Sequence, residues 1–359
     1  MTVGILGLGL IGGSMARAYA LEGHTVYACE KDEDMLSFAM LAGAVHGTLT
    51  PETIPCCDLI LLAIYPAGSA LWLEEHAAEI SPTALVMDLC GTKRQICSRC
   101  FSLAEKYGFT FVGGHPMAGS EKTGYENSTD HLLENAYYII SPTEKNTTEQ
   151  IERMKQIATA LRAIPLVLDY EEHDYSVAAI SHLPHLIASS LVKLVKDNDG
   201  ETEVMKRIAA GGFKDITRIA SSSPVMWEQI CMTNTSNLKV LMRKYIASLE
   251  SIYDDLDTYN SKGIYDLFDE SGKYRDTFSS IKRGAVAPNH SFSVDVVDEP
   301  GSIAILSAIL ASRGINVKNI GINNARDYGE GALRIEFYSE EKKLEAAELL
   351  KRYNYVLSR

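Results

Sequence analysis

The chain has 359 residues, 46% of them hydrophobic and 23% charged, with a formal net charge of −13 at pH 7, an ordinary globular composition long enough for two or three cores. So acidic a balance argues against a nucleic-acid partner, whose phosphates require clustered Lys and Arg. No uninterrupted apolar stretch reaches the roughly 18 residues of a membrane span, and Met1 runs into a strand pattern without a basic leader or cleavage site, so a cytoplasmic protein with no membrane partner is expected.

Val3 to Leu6 is an apolar run that reads as a buried strand, and Ser14 to Leu21 reads as a helix. Between them Gly7, Leu8, Gly9, Leu10, Ile11 and Gly12 form a G-x-G-x-x-G turn. The first glycine permits the sharp turn, the second lets a pyrophosphate reach the backbone, and the third lets helix and strand pack closely. The helix N-terminus adds unpaired N–H groups for the phosphates. The next strand, Thr25 to Cys29, ends at Glu30. A carboxylate there accepts hydrogen bonds from both ribose hydroxyls and repels a 2′-phosphate, which favours NAD over NADP, although Lys31 beside it works the other way.

The same rhythm continues with strands Asp58 to Ile64 and Ala84 to Asp88 and helical stretches Leu71 to Glu79 and Arg94 to Tyr107. Strands alternating with helices imply a parallel sheet covered on both faces, here an α/β, Rossmann-type domain over residues 1–168. A ligand then lies outside the carboxyl ends of the strands, at Ala63 to Tyr65, Asp88 to Lys93 and Gly113 to Ser120, which puts Ile64 and Tyr65 beside the cofactor. Cys97 and Cys100 form a C-x-x-C without a second pair and read as two buried thiols on a helix. The odd total of seven cysteines fits a reducing compartment, and no metal is expected.

After the strand Phe109 to Val112 comes a glycine-rich loop, Gly113 to Glu121, holding His115. A histidine there, with an ordinary pKa near 6.5, can accept a proton at neutral pH. Beyond Leu168 the strand signals stop, and residues 169–283 read as an all-helical domain set against the nucleotide domain, with a long apolar helix from His173 to Val195. Ser181-His182-Leu183-Pro184-His185 interrupts it. Proline removes an N–H and clashes with the Ile180 carbonyl, so a kink is expected where two histidines sit, His185 toward substrate and His182 in the core. In Gly211 to Arg218, Lys214 and Arg218 stand one helical turn apart, and the Arg218 fork suits a carboxylate.

These clusters, "GGHPMAGSEKTG", "SHLPH" and "GGFKDITRIA", as an ordered set between about Met1 and Ser280 resemble the prephenate dehydrogenase family. That resemblance implies oxidative decarboxylation of prephenate to 4-hydroxyphenylpyruvate with hydride transfer to NAD, in the tyrosine pathway. It implies that His115 holds and deprotonates the ring hydroxyl, that Arg218 binds a substrate carboxylate and His185 lines the pocket, and that Ser120 supplies a hydroxyl to substrate or nicotinamide amide. Many members carry Ser-Val-Lys where this chain has Gly91-Thr92-Lys93, which leaves Thr92 or water to provide the missing hydroxyl. Arogenate dehydrogenase, with the same ring chemistry, and an NAD-binding amino-acid sensor without turnover are the competing readings.

Arg283 to Pro288 reads as a linker, followed by strand His290 to Val297, the turn Asp298-Glu299-Pro300-Gly301, helix Ser302 to Ser312, strands Val317 to Asn323 and Leu333 to Phe337, and helix Glu341 to Tyr353. This β-α-β-β-α-β order with its D-E-P-G turn resembles an ACT domain, ferredoxin-like in fold, over residues 289–359. The resemblance implies amino-acid binding near Asp298 and Gly301, with tyrosine as the feedback effector. Helical dehydrogenase domains and ACT modules both commonly pair, so a homodimer is expected.

Overall fold

A strand covered on both faces is apolar at every position, and β1 (Thr2–Leu6), β4 (Leu59–Leu62) and β5 (Leu85–Asp88) are buried along almost their whole length. The computed structural model describes residues 1–119, 124–280, 290–297, 299–323 and 330–358. The chain falls into two units, Met1–Glu270 and Ser271–Arg359.

In the first unit, eight strands form one sheet in the order β3-β2-β1-β4-β5-β6-β7-β8, with β2 at Thr25–Cys29, β3 at Gly47–Thr48, β6 at Thr110–Pro116, β7 at Tyr137–Ser141 and β8 at Ile164–Val167. Helices α1 (Leu10–Leu21), α2 (Glu33–Leu41), α3 (Pro66–His76), α4 (Arg94–Tyr107) and α5 (Thr148–Ala160) accompany it. Two apolar clusters result, one containing Met15, Tyr19 and Met154 and the other Leu73, Ile96 and Phe111. The order doubles back beside β1, where successive strands run to opposite sides, and ligands bind at such a switch point.

The sheet is not wholly parallel, as expected from the alternation: β6 and β7 run antiparallel, with His115 opposite Ile139. No crossover helix separates them in the described residues, and without a crossover the chain can only return antiparallel. A second correction follows. Gly113, Gly114, His115 and Pro116 lie in β6 rather than in a loop, because Ser141 and Ile140 of β7 extend the ladder past Val112. A Cβ on Gly114 would sit 2.7 Å from the Asp88 carbonyl oxygen, so this glycine lets β6 press against the end of β5.

The helical part comprises α6 (Tyr170–Val177), α7 (Leu183–Asn198), α8 (Val204–Ile208), α9 (Gly211–Thr217), α10 (Pro224–Thr233), α11 (Thr235–Asp257) and α12 (Ser261–Ser280). Asp169 caps α6 by accepting from the Glu171 and Glu172 N–H groups. The expected kink at Pro184 takes the form of a π-helical turn, Ala178–His182, in which the Leu183 N–H bonds back to the Ala178 carbonyl. One extra residue in the turn absorbs the N–H that proline lacks, so the helical run continues from Tyr170 to Asn198. That run is 29 residues long, by length and composition enough to cross a membrane where none was expected. It carries His173, Asp174, His182 and His185, whose partners lie within the protein.

The second unit contains β9 (His290–Val297), α13 (Ser302–Ala311), β10 (Val317–Asn323), β11 (Glu330–Phe337), α14 (Glu340–Arg352) and β12 (Leu357–Ser358). They form a four-stranded antiparallel sheet in the order β10-β11-β9-β12. Alternate residues of β9, such as Phe292 and Val294, enter a core with Leu306, Leu310 and Leu350. Gly301 takes φ +98 at the start of α13, a conformation that favours glycine. The linker Arg283 to Pro288 and Asp298 of the turn lie outside the described residues.

Candidate active site

The glycine-rich turn is built as its spacing predicts. Gly7 has φ +93, and a Cβ on Gly12 would meet the Gly7 carbonyl oxygen at 2.0 Å and the Ala63 Cβ at 2.9 Å, so α1 packs on β1 only without a side chain there. A Cβ on Gly9, by contrast, would meet nothing within 4 Å. Gly9 starts α1 without any side-chain cap, leaving the N–H groups of the first turn, which opens with Leu10 and Ile11, without a side-chain partner. Together these features fit a dinucleotide pyrophosphate.

Glu30, just past β2, accepts from the Leu8 N–H at 2.8 Å through one oxygen and from the Lys31 and Asp32 N–H groups at 2.8 and 3.2 Å through the other. These bonds use three of the roughly four lone-pair sites of a carboxylate, leaving room for one ribose hydroxyl where two were expected. Ile64 packs against Gly7, a Cβ on which would lie 2.4 Å from the Ile64 Cγ2. Tyr65 begins α3 and is exposed beside it.

At the same carboxyl end of the sheet, β6 and α6 bring two histidines together. His115 Nδ1 lies 2.8 Å from His173 Nε2, and His173 Nδ1 lies 2.9 Å from Asp174 Oδ1. His173 and Asp174 are buried, whereas His115 keeps one edge open. The Asp174 carboxylate accepts the Lys93 N–H at 2.7 Å and the Arg94 N–H at 2.9 Å, at the entrance to α4. Burial alone raises its pKa, but hydrogen bonds from His173, Arg94 and Lys93 outweigh that and hold it below the ordinary value.

An ionised Asp174 only accepts hydrogen bonds, so His173 carries its proton on Nδ1. In the neutral ring Nε2 is then bare and accepts from His115 Nδ1–H, which leaves His115 Nε2 as a lone pair that no other described residue shares. Gly91 faces that nitrogen: a Cβ there would be 3.9 Å from it, and among the described residues, its chain neighbours aside, no atom other than the His115 ring is within 4 Å. Burial, followed by the charges of His173, Lys93 and His182, pushes the His115 pKa well below its ordinary value, so the ring is neutral at pH 7.

Thr92, the expected replacement hydroxyl, is buried and donates to Thr233 Oγ1 at 3.0 Å. It therefore pins α10 to the end of β5 instead of supplying a hydroxyl beside His115. Lys93 and Asp88 form a fully buried ion pair. Asp88 also accepts from the Cys90 N–H at 3.0 Å and the Gly114 N–H at 3.2 Å, which ties the His115 strand to this pair.

His182 is buried, as expected, and its Nδ1 lies 3.2 Å from Asn234 Nδ2, which also donates to the Asp174 carbonyl at 2.7 Å. Burial, only partly offset by Asp174, pushes the His182 pKa down to about 4. His185 donates from Nδ1 to the Ser181 carbonyl at 2.8 Å and stacks on Trp227, with ring centroids 3.5 Å apart. Its pKa is lowered by burial and by the nearby Arg218 guanidinium, against the Ser181 bond that raises it. His185 and Arg218 are thus neighbours. Lys214 is different: its side chain is exposed, and among the described residues nothing ties it to the histidines, since Arg218 begins a separate 3-10 turn, Arg218–Ser221. Ser120 lies outside the described residues.

Sequence reasoning missed His173, Asp174 and Asn234 as members of the site. The available signal was a His-Asp pair near the start of a helical run that turns apolar after it, with both side chains buried, polar groups that a buried helix face rarely carries without a partner. Cys97 and Cys100 are free thiols buried on α4.

The family of the prephenate dehydrogenase nucleotide-binding domain matches residues 15–164, and that of the prephenate dehydrogenase dimerization domain matches residues 169–270. A prephenate dehydrogenase of Bacillus subtilis is 32% identical over 354 residues, covering 97% of this chain and 95% of the relative. The structure of prephenate dehydrogenase from A. aeolicus in complex with hydroxyphenyl propionate and NAD+ is 28% identical with a TM-score of 0.70, over 77% of this chain and 98% of that one. The Synechocystis arogenate dehydrogenase structure is 25% identical with a TM-score of 0.69, over 77% of this chain and all of that one. Paired histidines at the mouth of a dinucleotide fold, with sequence similarity along nearly the whole chain, lead to one conclusion: the chain belongs to the prephenate dehydrogenase family.

Proposed function

We propose that the protein is an NAD-dependent prephenate dehydrogenase of tyrosine biosynthesis, with His115 as the base. The observation that carries this reading is the bare Nε2 of a neutral His115, held by His173 and facing the gap at Gly91. When bound, the nicotinamide supplies a hydride acceptor. The residues do the rest: His115 Nε2 accepts the hydrogen bond of the ring hydroxyl and takes its proton as hydride leaves the same carbon. Arg218 and His185 hold the substrate, Arg218 through a carboxylate. Loss of carbon dioxide then makes the ring aromatic. A Glu30 carboxylate at the ribose disfavours the 2′-phosphate of NADP.

The domain scheme belongs to the same reading: a Rossmann-type domain at 1–168, a helical substrate and dimerisation domain at 169–283, and an ACT domain at 289–359. The β-α-β-β-α-β order of the second unit and the left-handed Gly301 support the ACT reading, with tyrosine as effector. Support for a homodimer comes from α11, where Val240, Ile246, Leu249, Tyr253 and Leu256 are exposed and Leu238 alone is buried. A cytoplasmic location completes the proposal.

The test is NADH formation from prephenate and from arogenate, with NAD+ and with NADP+, in the presence and absence of tyrosine. NADH from prephenate, abolished in His115→Asn with NAD+ binding retained, is the expected result. Absence of turnover with prephenate, or full turnover by His115→Asn, overturns the reading.

A further inference from the structure

The function proposed above needs only one base, yet the structure backs His115 with a second imidazole and a carboxylate. We infer that His115, His173 and Asp174 form a proton relay in which the positive charge created by deprotonating the substrate comes to rest on His173, against Asp174. The inference rests on His115 being the base.

Several observations point this way. His115 is a poor place for a positive charge: burial above all, then the neighbouring His173, the Lys93 ammonium and His182, work against one there. His173 is a good place, because its Nδ1–H already meets the Asp174 carboxylate at 2.9 Å and its bare Nε2 receives His115 Nδ1–H at 2.8 Å. Asp174 in turn is fixed by the Lys93 and Arg94 N–H groups at 2.7 and 2.9 Å, and its backbone carbonyl by Asn234 at 2.7 Å. The charged and titratable groups facing the pair are Asp174 from α6, His182 from the π turn, and Lys93 from the β5–α4 connection, whose ammonium is paired with Asp88. Each hydrogen bond thus has one donor and one acceptor, aligned from carboxylate to substrate.

The step balances as follows. The substrate O–H bond breaks and an N–H bond forms at His115 Nε2, while the His115 Nδ1–H proton passes to His173 Nε2. Hydride leaves the same substrate carbon for the nicotinamide, and a carbonyl forms there. When the bond to carbon dioxide breaks, its electron pair enters the ring and reaches the oxygen. That oxygen takes a proton back from His115 as His173 returns the other. The relay ends as it began, and no net proton is consumed.

His173→Gln separates this role from simple positioning. The glutamine carbonyl can still accept His115 Nδ1–H and its amide can still face Asp174, but it cannot take up a proton. The expected result is a folded enzyme with NAD+ binding and KM within a fewfold of the parent and kcat lower by about a hundredfold, the lower range for a lost acid–base group; a kcat within threefold of the parent overturns the relay. Asp174→Asn removes the charge that favours protonation of His173, so the acidic limb of the kcat profile moves to lower pH with a reduced plateau, and an unmoved limb counts against it. Should either variant fail to fold, 15N-histidine NMR of the unaltered protein decides. Acid protonation appearing first on His173 Nε2 supports the relay, and protonation on His115 with His173 neutral refutes it. Full turnover by His115→Asn would sink the proposed function itself, whereas a normal His173→Gln enzyme would sink the relay alone.

Discussion

Replacing Gly9 by alanine should separate folding from cofactor binding. The backbone at Gly9, with φ −69 and ψ −161, is extended and open to any residue, and the added Cβ meets no atom within 4 Å. The folded state therefore loses nothing, and the less flexible unfolded chain should raise stability by about 0.4–1 kcal/mol. The same methyl group stands at the uncapped N-terminus of α1, where a pyrophosphate must approach within hydrogen-bond distance. A methyl group there holds the phosphate off, and loss of even one charge-assisted bond of about 1.5–3 kcal/mol weakens NAD+ binding by at least tenfold. Gly12→Ala is the contrast: its Cβ would overlap the Gly7 carbonyl at 2.0 Å, backbone that cannot rotate away. That variant should lose about 1–3 kcal/mol or more of stability together with binding. Thermal melts and calorimetric NAD+ titration on both proteins measure the two effects. Unchanged NAD+ affinity in a stable Gly9→Ala protein would refute the placement of the pyrophosphate at this turn.

Further expectations concern the buried charges and the open face of His115. Lys93→Met leaves Asp88 uncompensated at a fully buried position, which should destabilise the protein by about 3–5 kcal/mol and lower its melting temperature by roughly 10 °C; an unchanged melt would mean that the pair contributes nothing. Gly91→Leu should fold normally, because among the described residues beyond its chain neighbours only the His115 ring is within 4 Å of its Cβ, yet it should cut kcat/KM at least a hundredfold by covering Nε2; retained turnover would place the reacting hydroxyl elsewhere. Acid should unfold the protein early. The His182 pKa is depressed to about 4, so the unfolded chain binds that proton more readily, and stability falls as pH drops from about 6.5 to 4, by roughly 3 kcal/mol for this group. His115, whose pKa is also lowered, adds in the same direction. Melting temperatures from pH 7 to 4 test this, and a flat profile would contradict it.

Local patterns were enough for much of this protein. The glycine turn, Glu30 after β2, and the order of elements in the second unit are set by neighbours within about twenty residues, because steric permission at glycine and side-chain periodicity act at short range. His115 and His185 were also legible, since each sits in an unusual local context, between glycines or beside a helix proline. What the tertiary structure alone decided was the pairing of distant groups. His115 meets His173 across 58 positions and Lys93 meets Asp174 across 81, contacts that no local periodicity encodes. The same holds for the antiparallel β6–β7 pair, which draws His115 into a strand, and for Thr92, whose hydroxyl goes to Thr233, 141 residues away. Which nitrogen of His115 stays bare follows from a buried carboxylate on another element, and only folding brings that carboxylate close enough to set it.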